Sequence, residues 1–300
     1  MGVETHLVAW ITDYLTNRPQ YVRLGDCRSD PVASSTGAPQ GTVLSPVLFT
    51  LYTSDFQSNT ELCHVQKFAD DTAIVGCIRS GQEEEYRKLI QDFVKWCDSN
   101  HLLLNTTKTR EMVVDFRRPR PHPEPVMIKG DRVEVVHTCK YLGVQLDDKL
   151  DWTANSDALC RKGQSCMYFL RRLAPFNICK KPQQIFYQSE VASALMYAVV
   201  CWGSSLKKKH AARLDKLVRK VGSVVGTELD SLTSEAERQT LNRLLSIIDN
   251  PSHPLHSSIS RQRSSFSDRL LSLSCSTDRL KRSFLPHAIR LFNTIRGGGR

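Results

Sequence analysis

The chain has 300 residues, a net charge of +10 and 40% hydrophobic content, the profile of a globular protein and not of a disordered one. Met1 to Trp10 has neither the basic region nor the apolar core of a secretory leader. The longest apolar run, Val191 to Trp202, is broken by Ser193 and is too short to span a bilayer, so no membrane role is expected. None of the ten cysteines forms a Cys-x-x-Cys pair, which removes zinc-ribbon and redox motifs and points to a reduced, intracellular protein.

In chain order, Leu7 to Leu15 reads as a helix ending near Asn17 and Pro19. A second helix is predicted over Val43 to Phe56, with Pro46 in its first turn, where the missing N–H costs nothing. Val65 to Phe68 and Thr72 to Val75 flank Ala69-Asp70-Asp71 as a hairpin. The clearest helix follows, with Tyr86, Leu89, Ile90, Phe93, Val94 and Cys97 on one face and Glu83, Glu84 and Glu85 at its positive end. Glu111 to Phe116 reads as a strand, Arg117 to Pro125 as a surface connector, and Val126 to Ile128 with Arg132 to Val136 as a hairpin around Gly130-Asp131. Beyond Tyr141-Leu142-Gly143-Val144 the chain becomes mainly helical. From Ser252 it is serine-rich and expected to be loosely ordered until Phe284 to Ile295. Helices mixed with antiparallel hairpins make an α+β pattern.

The charge is concentrated. Between Arg161 and Lys220 thirteen Lys/Arg face only Glu190 and Asp215, a balance of +11, and the rest of the chain sums to −1. Such a segment fits a polyanion, nucleic acid above all. A solvated helix surface is the plainer alternative.

Two adjacent carboxylates at a hairpin tip, Asp70 and Asp71, repel each other unless a cation neutralises them, and hard oxygen ligands suit Mg²⁺. Asp70 is then the natural inner ligand and Asp71 the weaker partner. Upstream, Gly37-Ala38-Pro39-Gln40-Gly41 precedes a helix start. Glycines allow close backbone approach to a ligand, helix N–H groups favour an anion, and Gln40 can both donate and accept. Downstream, Lys108 in Leu104-Asn105-Thr106-Thr107-Lys108-Thr109 could stabilise a leaving phosphate. Taken singly, each has an ordinary structural explanation: a turn, a helix entry, a surface lysine.

In this order the pieces resemble the polymerase core of non-long-terminal-repeat, LINE-like retrotransposon reverse transcriptases. Gly37 to Phe49 looks like motif B, Phe68-Ala69-Asp70-Asp71 like motif C, Leu104 to Thr109 like motif D, and Tyr141-Leu142-Gly143-Val144 like the primer grip. The segments Trp10 to Arg18 and Gln20 to Val22 resemble the stretch between motifs A and B, and Ser283 to Leu291 the end of such reading frames. The resemblance implies a right-hand polymerase palm of antiparallel hairpins and packed helices, with most of the fingers missing, followed by a helical thumb. It divides the chain into a partial palm (1–138), a primer grip and basic thumb (139–222), and a serine-rich, partly ordered tail (223–300). It implies two-metal nucleotidyl transfer with Mg²⁺ or Mn²⁺, catalytic roles for Asp70, Asp71 and Lys108, and substrate binding by Gly37, Pro39, Gln40, Gly41 and Phe68. Tyr141, Leu142 and Gly143 would grip the primer. Arg161, Lys162, Arg171, Arg172, Lys180 and Lys181 would hold the RNA template and DNA primer, deoxynucleoside triphosphates being the substrates. A nuclear location follows from the family alone, and oligomeric state is left open.

The family's motif A aspartate is expected upstream of Gly2, and Asp13, inside the first helix, does not replace it. The chain is therefore expected to be inactive alone. A non-catalytic nucleic-acid-binding remnant is one alternative. Another rests on Tyr141 to Trp202, which is similar to a region attached to AlkB-like, 2-oxoglutarate-dependent tRNA-modifying proteins. An Fe(II) dioxygenase needs a His-x-Asp/Glu pair, and none is expected: Leu103, Ala212 and Leu255 stand two residues after His101, His210 and His253. Phe169, Leu173 and Phe186 are expected in a helical core. Tyr197 and Trp202 are expected to pack there too, in preference to stacking on bases.

Overall fold

A computed structural model describes residues 4–57, 60, 62–78, 83–117, 124–173, 180–267 and 269–297. The chain forms two compact units, residues 1–108 with 126–133, and residues 109–125 with 134–300. Both mix helices with two-stranded sheets, an α+β arrangement. Among the described residues no helix is long and apolar enough to cross a membrane.

The first unit opens with α1 (Thr5–Leu15). Strand β1 (Arg18–Gln20) pairs with β4 (Val32–Ser34), and between them β2 (Arg23–Leu24) pairs with β3 (Cys27–Arg28). Helix α2 (Leu44–Tyr52) is shorter than the expected Val43 to Phe56. Beyond its end the Lys67 ammonium donates to the carbonyls of Thr53 and Phe56 (2.8 Å). Lys67 belongs to β5 (Cys63–Phe68), which forms an antiparallel hairpin with β6 (Asp71–Gly76).

Helix α3 (Glu84–Ser99) begins with Glu84 and Glu85 and buries Leu89, Ile90, Phe93, Val94 and Cys97, the face its spacing predicts. Gly76 makes room for the Tyr86 ring, since a Cβ there would lie 2.7 Å from Tyr86 Cδ2. The expected strand from Glu111 to Phe116 is only β7 (Arg110–Glu111). Of the expected connector, residues 118–123 lie outside the described residues. The chain then forms the hairpin of β8 (Met127–Ile128) and β9 (Asp131–Arg132). Its turn is Lys129-Gly130, one residue earlier than expected. Both residues adopt positive φ (52° and 85°), as a two-residue hairpin turn matching strand twist requires. Val126, Ile128 and Val133 close on Ile90 and Val94 as the unit's core.

The second unit starts with β7, which pairs in parallel with β10 (Glu134–Val135); the strand expected over Arg132 to Val136 is thus split between two partners. Strands β11 (Thr138–Tyr141) and β12 (Val144–Asp147) form a hairpin that leads into α4 (Thr153–Leu173). After α5 (Lys180–Phe186) the backbone widens into a π-helical turn, Tyr187–Ala192. It continues through α6 (Ser193–Met196) and α7 (Val199–Trp202) into α8 (Lys208–Val225). Trp202, Leu170, Leu195, Leu214 and Val218 are fully buried in one core. There Trp202 is core, as expected, whereas Phe169 is exposed, a departure from the expected packing. Phe186 packs partly against that core, and the Leu173 side chain lies outside the described residues.

Helices α9 (Leu232–Ile248), α10 (His256–Ser260), α11 (Asp278–Arg282) and α12 (Phe284–Gly297) complete the unit. Ile259 and Leu270, from the serine-rich stretch, are buried against Leu244, Ile247, Ala288, Ile289 and Phe292. Residues before Phe284 thus contribute to this core. Asn293 fixes that stretch by bonding the Leu270 backbone at both its N–H (2.9 Å) and its carbonyl (2.7 Å).

Candidate nucleic-acid and metal-binding site

The glycine loop is braced from behind. Gly37 and Gly41 both take positive φ (64° and 80°), so a side chain at either would be strained. Arg18 donates from one Nη to the carbonyls of Thr36 (2.8 Å) and Gly37 (2.9 Å). The hydroxyls of Thr42 and Ser45 both donate to the Pro39 carbonyl, and Tyr14 reaches Thr42 (3.0 Å). Held this way, the loop leaves Gln40 exposed. Arg18, Tyr14, Thr42 and Ser45 were not singled out from the sequence. The only signal for them was their place in segments matched by resemblance.

At the hairpin tip Phe68 pairs with Asp71, which leaves Ala69 and Asp70 as the two turn residues. Ala69 adopts φ 51°, a left-handed conformation costing a residue with a Cβ about 1 kcal/mol or more. Asp70, Asp71 and Phe68 are all exposed, so the turn holds both carboxylates in solvent. The strained turn also places Asp71 as the first residue of β6, while Asp70 stays in the turn itself. Among the described residues no group of three or more His, Cys, Asp or Glu is placed to hold a metal. Lys108 is exposed, at the end of a turn in which the Asn105 side chain accepts from the Lys108 N–H (3.1 Å).

In the second unit the Leu142-Gly143 turn carries positive φ at both residues (44° and 85°) between Tyr141 and Val144. Arg161, Lys162, Arg171, Arg172, Lys180 and Lys181 are all exposed. Lys207 and Arg213 are instead taken up by Asp151 (2.6 Å) and Asp157. Burial works against a charged Asp151, but Lys207 and the Thr153 hydroxyl and amide hold its carboxyl down at about 2. Asp147, also not singled out, is buried and accepts three N–H groups, from Lys149, Asp151 and Trp152, each at 3.1 Å. It fixes the loop in which Leu150 and Trp152 have positive φ (49° and 63°).

With this geometry in hand, the comparisons are specific. The family described as reverse transcriptase (RNA-dependent DNA polymerase) matches residues 1–146. A second, described as alkylated DNA repair protein alkB homolog 8, N-terminal, matches residues 152–193. The probable RNA-directed DNA polymerase from transposon BS of Drosophila melanogaster is 25% identical over 87% of this chain and 29% of its own length. That from transposon X-element of the same fly is 27% identical over 72% of this chain and 24% of its own length. The RNA-directed DNA polymerase from mobile element jockey is 25% identical over 66% and 22%. No solved structure matches.

The first 146 residues thus match the reverse transcriptase family. Within that class the chain resembles the LINE-like, non-long-terminal-repeat enzymes, and it spans less than a third of the relatives it matches. Among the described residues, the AlkB-type match runs from Trp152 through α4, α5 and the π-turn to Ser193. One expectation about it needs correction: His122-Pro123-Glu124 does have His-x-Glu spacing. His122 lies outside the described residues, and the match does not include it.

Proposed function

We propose that this chain is the substrate-handling and template-handling part of an RNA-directed DNA polymerase, and that it does not polymerise by itself. The observation that carries the reading is the Asp70-Asp71 pair held outward by a strained turn, inside the stretch that matches the reverse transcriptase family. In this reading the first unit and its boundary strands act as a palm, the β11–β12 turn as the primer grip, and the exposed cations after Arg161 as a thumb surface. Residues 223–300 act as a tail packed on that thumb.

Asp70 and Asp71 would contribute carboxylates toward Mg²⁺ or Mn²⁺, whose chemistry in such enzymes is activation of the primer hydroxyl and stabilisation of pyrophosphate. In this reading a third acid is supplied from outside the Asp70-Asp71 turn. The braced glycine loop offers Gln40 and backbone to a nucleotide, and Lys108 offers a proton or charge to its phosphate. The RNA template and primer would be held through phosphate charge and not base sequence.

Primer extension on an RNA template with Mg²⁺ or Mn²⁺, beside Asp70→Ala, tests this. No incorporation together with salt-sensitive primer–template binding is the expected result. Incorporation abolished in the Asp70 variant would overturn the inactivity. Absence of both incorporation and binding would overturn the nucleic-acid role as well.

A further inference from the structure

Helix α4 has two unlike faces. Cys160, Met167 and Leu170 are buried on one side, and Gly163 lets Leu217 of α8 settle where a Cβ would stand, 2.3 Å from it. On the other side Arg161, Ser165, Tyr168, Phe169 and Arg172 recur at three- and four-residue spacing, with Lys162 alongside Phe169, and all are exposed. Residues so spaced share one helix surface.

This face carries two adjacent large rings beside its charges. Here Tyr168 and Phe169 are 60% and 55% exposed. Their rings lie 5.7 Å apart with planes crossing at 72°, so no single flat group can cover both. The surrounding charge is one-sided: residues 158–189 include six Lys/Arg and no Asp or Glu. The aromatic pair therefore sits in a field that repels cationic partners and draws a polyanion.

We infer that the outer face of α4 is a stacking platform for unpaired nucleotides, in which Tyr168 and Phe169 take bases while Arg161, Lys162 and Arg172 take phosphates. Bases within a duplex are already stacked and paired and offer these rings no free surface. Every unpaired base has one, and stacking of this kind tolerates any sequence. This rests on the nucleic-acid half of the proposed function and not on the polymerase half. It differs from a thumb that only follows a duplex backbone.

The test uses the full chain and three labelled probes: a short single-stranded oligouridylate, an abasic oligomer of the same length, and a blunt duplex. The expected result is tighter binding of the oligouridylate than of the abasic strand. A Tyr168→Ala/Phe169→Ala variant should lose about tenfold or more on the oligouridylate, be unchanged on the abasic strand, and keep its salt dependence. Arg161→Gln/Arg172→Gln should weaken both strands and flatten the salt dependence. Both variants alter exposed side chains, and unchanged circular dichroism checks their fold.

Equal binding of base-bearing and abasic strands would overturn the platform while leaving backbone binding intact. So would an aromatic variant that binds normally. If no probe binds and the aromatic variant instead abolishes self-association, the face is a protein contact and the inference fails.

Discussion

The phenolic hydroxyl of Tyr197 donates to the carbonyl oxygen of Leu142, 2.8 Å away and 55 residues earlier in the chain. The same ring occupies the space beside Gly143, where an added Cβ would approach Tyr197 Cε1 to 3.1 Å. Tyr197 stands at a break in the helical run, just before Ala198 in a left-handed conformation (φ 51°). The expected core residue is thus a clamp on the turn of the β11–β12 hairpin, with half of its surface exposed.

We predict that Gly143→Ala destabilises this unit by about 1–3 kcal/mol, because it meets both the ring and a positive φ. Tyr197→Phe should cost only about 1 kcal/mol, the loss of one hydrogen bond. Urea unfolding followed by circular dichroism measures both; stability unchanged in both variants would discard the clamp.

Ala69→Gly should stabilise the first unit by roughly 0.5–1 kcal/mol, since glycine accepts the left-handed turn without strain. The substitution leaves Asp70 and Asp71 in place. A lower urea midpoint would mean that the turn is not strained.

Asp147→Ala should destabilise the second unit by about 3 kcal/mol, for it strands three N–H donors in a buried loop. Asp147→Asn keeps an acceptor and should lose less. A surface-like effect of under about 0.5 kcal/mol would show that the loop finds other partners.

The stability of the helical C-terminal region should fall in mild acid. Burial, with Arg290 alongside, lowers the pKa of His287 from its ordinary 6.5, against a weaker pull from Glu237. The unfolded chain therefore binds a proton that the folded chain resists. This contribution is fully present above pH 6.5 and fades as pH falls through the depressed value. Urea midpoints at about pH 7.5 and about pH 5.5 should differ more in the parent than in His287→Gln. Equal differences would exclude His287 as the cause.

Much of the fold was legible where a local pattern and its packing agreed. The buried face of α3 followed from its spacing, and the hairpin bearing Asp70 and Asp71 from two apolar runs about a turn. Local reading failed where distant partners decided the outcome. Beyond Tyr52 the Lys67 ammonium binds the Thr53 and Phe56 carbonyls, and β7 pairs with β10 in place of extending alone. Phe169 reads as core by hydrophobicity, yet its helix turns that position outward.

By itself the sequence determined the order of motifs, the position of the carboxylate pair and the concentration of positive charge, since each is a property of residue type and local spacing. Only the tertiary structure decided which side chains brace them. Arg18 behind the glycine loop and Tyr197 on the hairpin turn were both invisible locally. Each donates to turn carbonyls from a residue distant in sequence, a contact that only the fold brings within reach.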